Sequence, residues 1–175
     1  MTSGKFLILT FIVLLIQLFV AEFINLSTLL YIVITPLPIL MLPYNFNNSL
    51  IMVIAFAIGL LTDLSYDGVM GLNAAALVAV AFFRKPVVKL VVSKTTRENL
   101  TEINSHTLGR SSLTVILLLL YSLFFLFYIA LDNVLYFSFV YTLARFIINV
   151  IVNTFIIMIL EFAILRNYTA RRIVD

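Results

Sequence analysis

The sequence predicts an all-α polytopic membrane protein with six transmembrane helices, and three observations predict it. Hydrophobic residues fill 63% of the 175 positions and charged residues 11%, against about 45–50% and 25% in soluble domains. A soluble domain of this length has too much surface for its volume to hide that many apolar side chains. The apolar residues also fall in blocks that are apolar on every face, as in residues 115–120, whereas barrel strands would alternate polar and apolar positions. Finally, outside the apolar blocks, Lys and Arg are confined to three stretches of chain, the asymmetry of loops kept on one side of a bilayer.

The first block, residues 6–21, lies between Lys5 and Glu22. A basic start before an apolar run also describes a secretory signal. Phe19, however, stands where cleavage after Ala21 needs a small residue, so the block reads as an uncleaved span. The second, 26–42, contains Pro36 and Pro38, which remove backbone donors and predict a kink or break. The third, 47–64, and the fourth, 69–83, are short for the ~20 residues a span needs. The fifth, 111–131, is the cleanest, and the sixth, 135–165, is long enough to tilt or to leave the membrane.

Orientation follows from charge. Lys5 precedes the first span. Segment 84–110 carries Arg84, Lys85, Lys89, Lys94, Arg97 and Arg110, and the end carries Arg166, Arg171 and Arg172. The other loops carry Glu22, Asp63, Asp67 and Asp132. Six spans with both termini in the cytoplasm put every basic segment inside and those four acids outside, as the positive-inside rule requires. The whole chain is then one transmembrane domain with a basic cytoplasmic loop at 84–110. That loop reads first as solvated. Its mixture of Val87, Val88 and Leu90 with Lys89, Lys94 and Arg97 also suits an anionic leaflet or a cytoplasmic partner. No aromatic-and-basic surface accompanies it, which argues against nucleic acid.

Catalytic and metal chemistry find little footing. There are no cysteines, so thiol nucleophiles and Cys-based zinc sites are excluded. The single histidine, His106, sits beside Ser105, Thr107 and Glu102 with no orienting partner, and reads as a loop residue. No catalytic, cofactor or metal site is predicted.

Polar residues inside spans are costly and ask for a reason. Asp63, Arg145 and Glu161 are the ionisable ones, with Gln17, Asn73, Asn149 and Asn153 beside them. Arg145, Asn149 and Asn153 are four apart and form one stripe on the last helix. The stripe should face the bundle interior or a partner, and it reads best as an internal polar clamp that fixes helix register. The arginine needs a carboxylate, with Asp63 and Asp132 as the two candidates.

The densest local pattern runs from Gly59 to Asn73. Gly59 permits close approach of a neighbouring helix. Asp67 and Gly68 signal a turn, and Asp67 is placed to cap the helix that begins near Val69. Gly71, followed by Ala74, Ala75 and Ala76, gives the fourth span a small-residue face. Together these predict a compact helical hairpin at the outer surface. Asp63 and Asp67 are spaced to share a cation, but turn capping explains them more simply.

The run Ala57-Ile-Gly59-Leu-Leu-Thr-Asp63, followed by Gly68-Val-Met-Gly71-Leu-Asn73, resembles the signature of the rod-shape-determining membrane protein MreD family. The six apolar segments, the size and the small basic tail fit that family along the whole chain, and the Pro36/Pro38 segment resembles its proline-containing second span. The resemblance implies a fold similar to the substrate-binding S components of energy-coupling-factor vitamin transporters. It implies a non-enzymatic scaffold in the bacterial inner membrane, within the cell-shape and lateral wall elongation machinery, working beside MreC, MreB, RodA and a penicillin-binding transpeptidase. The alternative is a vitamin-type transporter subunit. The first span lacks the small-residue motif by which such subunits dock their coupling protein, and this counts against it.

Overall fold

The computed structural model describes residues 8, 10–17, 19, 29–64, 69–98, 100, 103–132 and 138–172. Among them the chain is all-helical and contains no strand. Helix α1 covers residues 10–17. An extended stretch, residues 31–34, leads into the short α2 (Pro36–Met41). Then follow α3 (Asn48–Leu64), α4 (Leu72–Val91), α5 (Lys94–Glu98), α6 (Ser105–Leu108), α7 (Arg110–Asp132) and α8 (Phe139–Arg172).

The long helices pack in chain order: α3 on α4, α4 on α7, and α7 on α8, with α2 wedged against α3 and α4. The inward face of α7 shows why. Leu113, Ile116, Leu117, Leu120 and Phe124 recur at three and four residues and are all buried, the spacing of one helical face. Val115, Leu118 and Leu126, on its other side, are just as apolar and are exposed. Helix α8 repeats the pattern. Leu143, Ile147, Ile151, Phe155 and Ile159 stand exposed at four-residue intervals, while Asn149 and Asn153 are fully buried. Apolar side chains on the outside and buried asparagines on the inside of the same helix are the arrangement that lipid, not water, favours. Helix α7 and residues Phe139–Leu160 of α8 are each long and apolar enough to cross a membrane.

Three boundaries differ from the sequence-based expectation. The second apolar block is not one kinked helix: it is extended at residues 31–34 and helical only from Pro36. Tyr31, Ile32, Val33 and Ile34 are aromatic or β-branched, the residues that lose least on an extended backbone. Proline at the first helical position then starts α2, where its missing N–H costs nothing. The fourth block does not end at residue 83. Helix α4 continues through Pro86 to Val91, burying Val87 and Val88. The last helix begins at Phe139 rather than 135 and runs to Arg172.

Continuation of α4 takes Arg84 out of the solvated loop that the sequence predicts at 84–110. It is fully buried. Its guanidinium donates to the carbonyl oxygens of Leu40 at 3.2 Å and Pro43 at 3.4 Å, and to that of Leu42. These carbonyls close the C-terminal end of α2, where helical oxygens lack intrahelical donors and favour a cation. Lys85 extends the clasp by donating to the Phe46 carbonyl at 2.7 Å. Elsewhere in the basic segment, Val92, Leu100 and Ile103 are buried in the core, and Asn104 caps α6 through the Thr107 N–H at 2.9 Å. His106 lies within α6.

Candidate functional site

Two polar constructions meet inside the bundle. The first is a slot that holds the extended stretch. An extended chain turns the N–H and C=O groups of alternate residues to opposite edges. No strand among the described residues lies beside it, and side-chain amides supply partners at both edges. Asn149 accepts from the Tyr31 N–H and donates to the Leu29 carbonyl, both at 2.7 Å. Asn153 accepts from the Val33 N–H at 2.7 Å and donates to the Tyr31 carbonyl at 2.9 Å. On the opposite edge, Gln17 of α1 accepts from the Ile34 N–H at 2.7 Å and donates to the Ile32 carbonyl at 3.0 Å. Each amide thus grips an N–H and the carbonyl two residues before it, as a neighbouring strand would. The Tyr121 hydroxyl donates to the remaining Val33 carbonyl at 2.9 Å.

Spacing explains why this works. Four residues of helix rise about 6 Å, and two residues of extended chain advance about 6.6 Å. Asparagines four apart on α8 therefore stay in register with alternate residues of the stretch. The second N–H of each amide is also used: Asn149 donates to the Arg145 carbonyl at 2.6 Å, and Asn153 to that of Asn149 at 2.9 Å. Only an amide has one acceptor and two donors for this task.

The second construction closes the α3–α4 hairpin. Asp63, 3% exposed near the end of α3, receives the first N–H groups of α4. One oxygen accepts from Gly71 at 2.9 Å and Ala74 at 3.2 Å; the other accepts from the Asn73 backbone and from its side-chain amide, each at 2.9 Å. Gly71, the N-cap, has no side chain to cap with and sits at φ 98°, a conformation that glycine tolerates. The cap is supplied instead by an acid eight residues upstream, and negative charge is favourable at a helix N-terminus. Gly59 makes the approach possible: a Cβ there would lie 2.3 Å from the Ala74 Cα and 2.6 Å from its nitrogen.

Gly59→Ala is accordingly expected to cost about 1–3 kcal/mol, because the obstacle is backbone and one helix must shift. Adding Ala74→Gly should not restore stability, since the Ala74 Cα and nitrogen remain. Thermal unfolding of the two variants in detergent checks both statements.

Tyr31 joins the two constructions. Its hydroxyl donates to Asn73 Oδ1 at 3.2 Å, its backbone is held by Asn149 and Asn153, and its ring stacks on Tyr128 of α7 at 5.0 Å. Asp63, Asn73, Asn149 and Asn153 therefore belong to one hydrogen-bonded network, with Gly59 and Gly71 shaping one end of it. Arg145 stands at the other end, and its partner is Asp132 at 2.6 Å. Asp63 is not that partner, because its oxygens are directed at α4. Asp67 and Gly68 lie outside the described residues.

Sequence reasoning missed Tyr121 and Arg84 and left Gln17 without a role. Gln17 is the residue with a usable signal, as a lone amide in an apolar segment next to a segment broken by prolines. Among the described residues no cluster of acids and histidines is arranged to hold a metal. No family model, curated protein or solved structure matches the chain. Among the described residues, fold and site together define an all-helical protein with an apolar exterior, two helices able to cross a membrane, and buried polar side chains that hold its own extended segment.

Proposed function

We propose that this chain is a six-span, non-enzymatic scaffold of the bacterial cell-shape and lateral wall elongation machinery, of the MreD type. In this reading it sits in the cytoplasmic membrane with both termini inside, and its partners are MreC, RodA, a penicillin-binding transpeptidase and MreB. The observation that carries the reading is the capped hairpin. Gly59, Asp63, Gly71 and Asn73, from the stretch that resembles the MreD signature, act together where the end of α3 meets the start of α4. The use of the core amides supports it further: Asn149, Asn153 and Gln17 spend their hydrogen bonds on the chain's own backbone, which suits a fixed shape presented to partners. In this reading the six crossings run through α1, the extended stretch with α2, and helices α3, α4, α7 and α8, of which α7 and α8 are long and apolar enough to cross as they stand.

One observation favours the second reading, a vitamin-type transporter subunit. Broken helices in membrane carriers often line substrate sites, and the second segment here is broken. Its exposed backbone groups, however, are already matched by side chains.

Affinity purification of the tagged full chain from its native membrane, in mild detergent, tests the proposal. Mass spectrometry should recover MreC with the wall synthases. Recovery of an ATPase pair with a coupling subunit, or of a retained vitamin, would overturn the scaffold reading in favour of transport.

A further inference from the structure

The outer face of α4 carries two stripes side by side. Phe82, Pro86 and Leu90 recur every four residues and are exposed, Phe82 by 50% and Leu90 by 81%. Lys85 and Lys89 recur at the same interval, one position earlier than Pro86 and Leu90, and so border the apolar stripe. Lys89 is exposed, and Lys85 is half-buried with one of its three donors on Phe46. Just beyond the helix, Lys94 is exposed and Arg97 half-buried on α5. Among the described residues neither Lys89 nor Lys94 has an acidic partner. Burial of Val92, Leu100 and Ile103 holds this basic corner against the bundle.

Depth gives the stripes a meaning. Leu90 lies eighteen residues beyond Leu72, or about 27 Å along the axis, close to the ~30 Å hydrocarbon thickness. Phe82 is then near mid-membrane and Leu90 near the boundary, with the cations gathered at the boundary end. A small inorganic anion would neutralise the lysines but leave Phe82 and Leu90 uncovered. A neutral lipid would cover those two and leave the lysines unmatched. We propose that α4 and α5 form a binding site for an anionic phospholipid, with an acyl chain along Phe82, Pro86 and Leu90 and its phosphate at Lys89, Lys94 and Arg97. This inference rests on the membrane-spanning reading above.

The test is native mass spectrometry of the delipidated full chain in detergent. The chain is titrated with phosphatidylglycerol or with phosphatidylcholine of the same acyl chains. Phosphatidylglycerol should be retained preferentially. The triple variant K89Q/K94Q/R97Q should lose that preference, by about fivefold for each cation removed, while retaining phosphatidylcholine as before. L90Q should weaken both lipids alike, and K89R/K94R should behave as the parent. Equal phosphatidylglycerol retention by parent and triple variant would overturn the site. So would displacement of the lipid by millimolar inorganic phosphate, which would mark a small-anion site. A parent chain that stays soluble without detergent and ignores vesicles of either lipid would instead overturn the membrane-spanning reading itself.

Discussion

Replacing Asn153 with leucine is expected to lower stability by about 3–4 kcal/mol, although it makes the last helix more apolar. A hydropathy argument predicts the opposite sign, because asparagine in a span is unfavourable. The geometry decides between them. Hydrogen bonds between membrane helices average only about 0.6 kcal/mol, since separated helices find other partners for the same groups. At Asn153 the deserted groups are backbone: the Val33 N–H and the Tyr31 carbonyl, in a stretch with no helical partners of its own. Each orphaned group then costs about 1–3 kcal/mol, and together they outweigh the gain from leucine. Asn153→Asp separates the contributions, because it keeps the acceptor for Val33 but sets an oxygen against the Tyr31 carbonyl. Unfolding midpoints in one detergent are the measurement. A leucine variant as stable as the parent would mean that the extended stretch is held in place by packing alone.

Asp63→Leu is expected to cost about 3–5 kcal/mol and to open the hairpin. Three backbone N–H groups at the start of α4, those of Gly71, Asn73 and Ala74, lose their acceptor at once. They sit at a helix N-terminus, where no intrahelical carbonyl can replace it. Asp63→Asn should be milder but still damaging, because its NH2 group meets N–H donors. The side chain of Asn73 is released as well, and with it the acceptor of the Tyr31 hydroxyl, so the effect should reach the slot. Tyrosine fluorescence during unfolding checks this coupling, since Tyr31 stacks on Tyr128. If the parent chain captures MreC as proposed, a folded, monodisperse Asp63→Leu protein that captures it equally well would remove the hairpin from the partner-binding surface.

Particular residues show what could be read before the structure. The all-helical class followed from composition. The inward stripe of Asn149 and Asn153 followed from a four-residue interval, and the close approach at Gly59 from the scarcity of glycine. These are local or periodic signals, and the helix carries them intact. What the stripe faces was not local. Its partner is backbone some 120 positions earlier in the chain, and backbone leaves no mark in residue identity. The two prolines announced a break, but the extended part precedes them, where β-branched residues in lipid look like any apolar run. Arg84 was hidden because a cation at the edge of a span reads as a loop residue until the carbonyls of another helix are known to lie beside it. The choice between Asp63 and Asp132 for Arg145 was likewise a question of direction. Asp63 faces α4 because Gly71 cannot cap its own helix.

The distance in sequence between the extended stretch and its asparagines has a consequence for biosynthesis. A ribosome adds about 5–20 residues per second, so Asn149 and Asn153 emerge roughly 6–24 seconds after Tyr31 and Val33. If the chain spans the membrane as proposed, the stretch is in the apolar phase during that interval, and a lone apolar segment there can satisfy its backbone only as a helix. On that reading the extended form is complete only late, once the last helix brings Asn149 and Asn153 to the edge that Gln17 does not hold. Chains truncated before residue 149 would leave the Tyr31 and Val33 N–H groups without these acceptors, a difference by which membrane quality control could tell unfinished copies from finished ones.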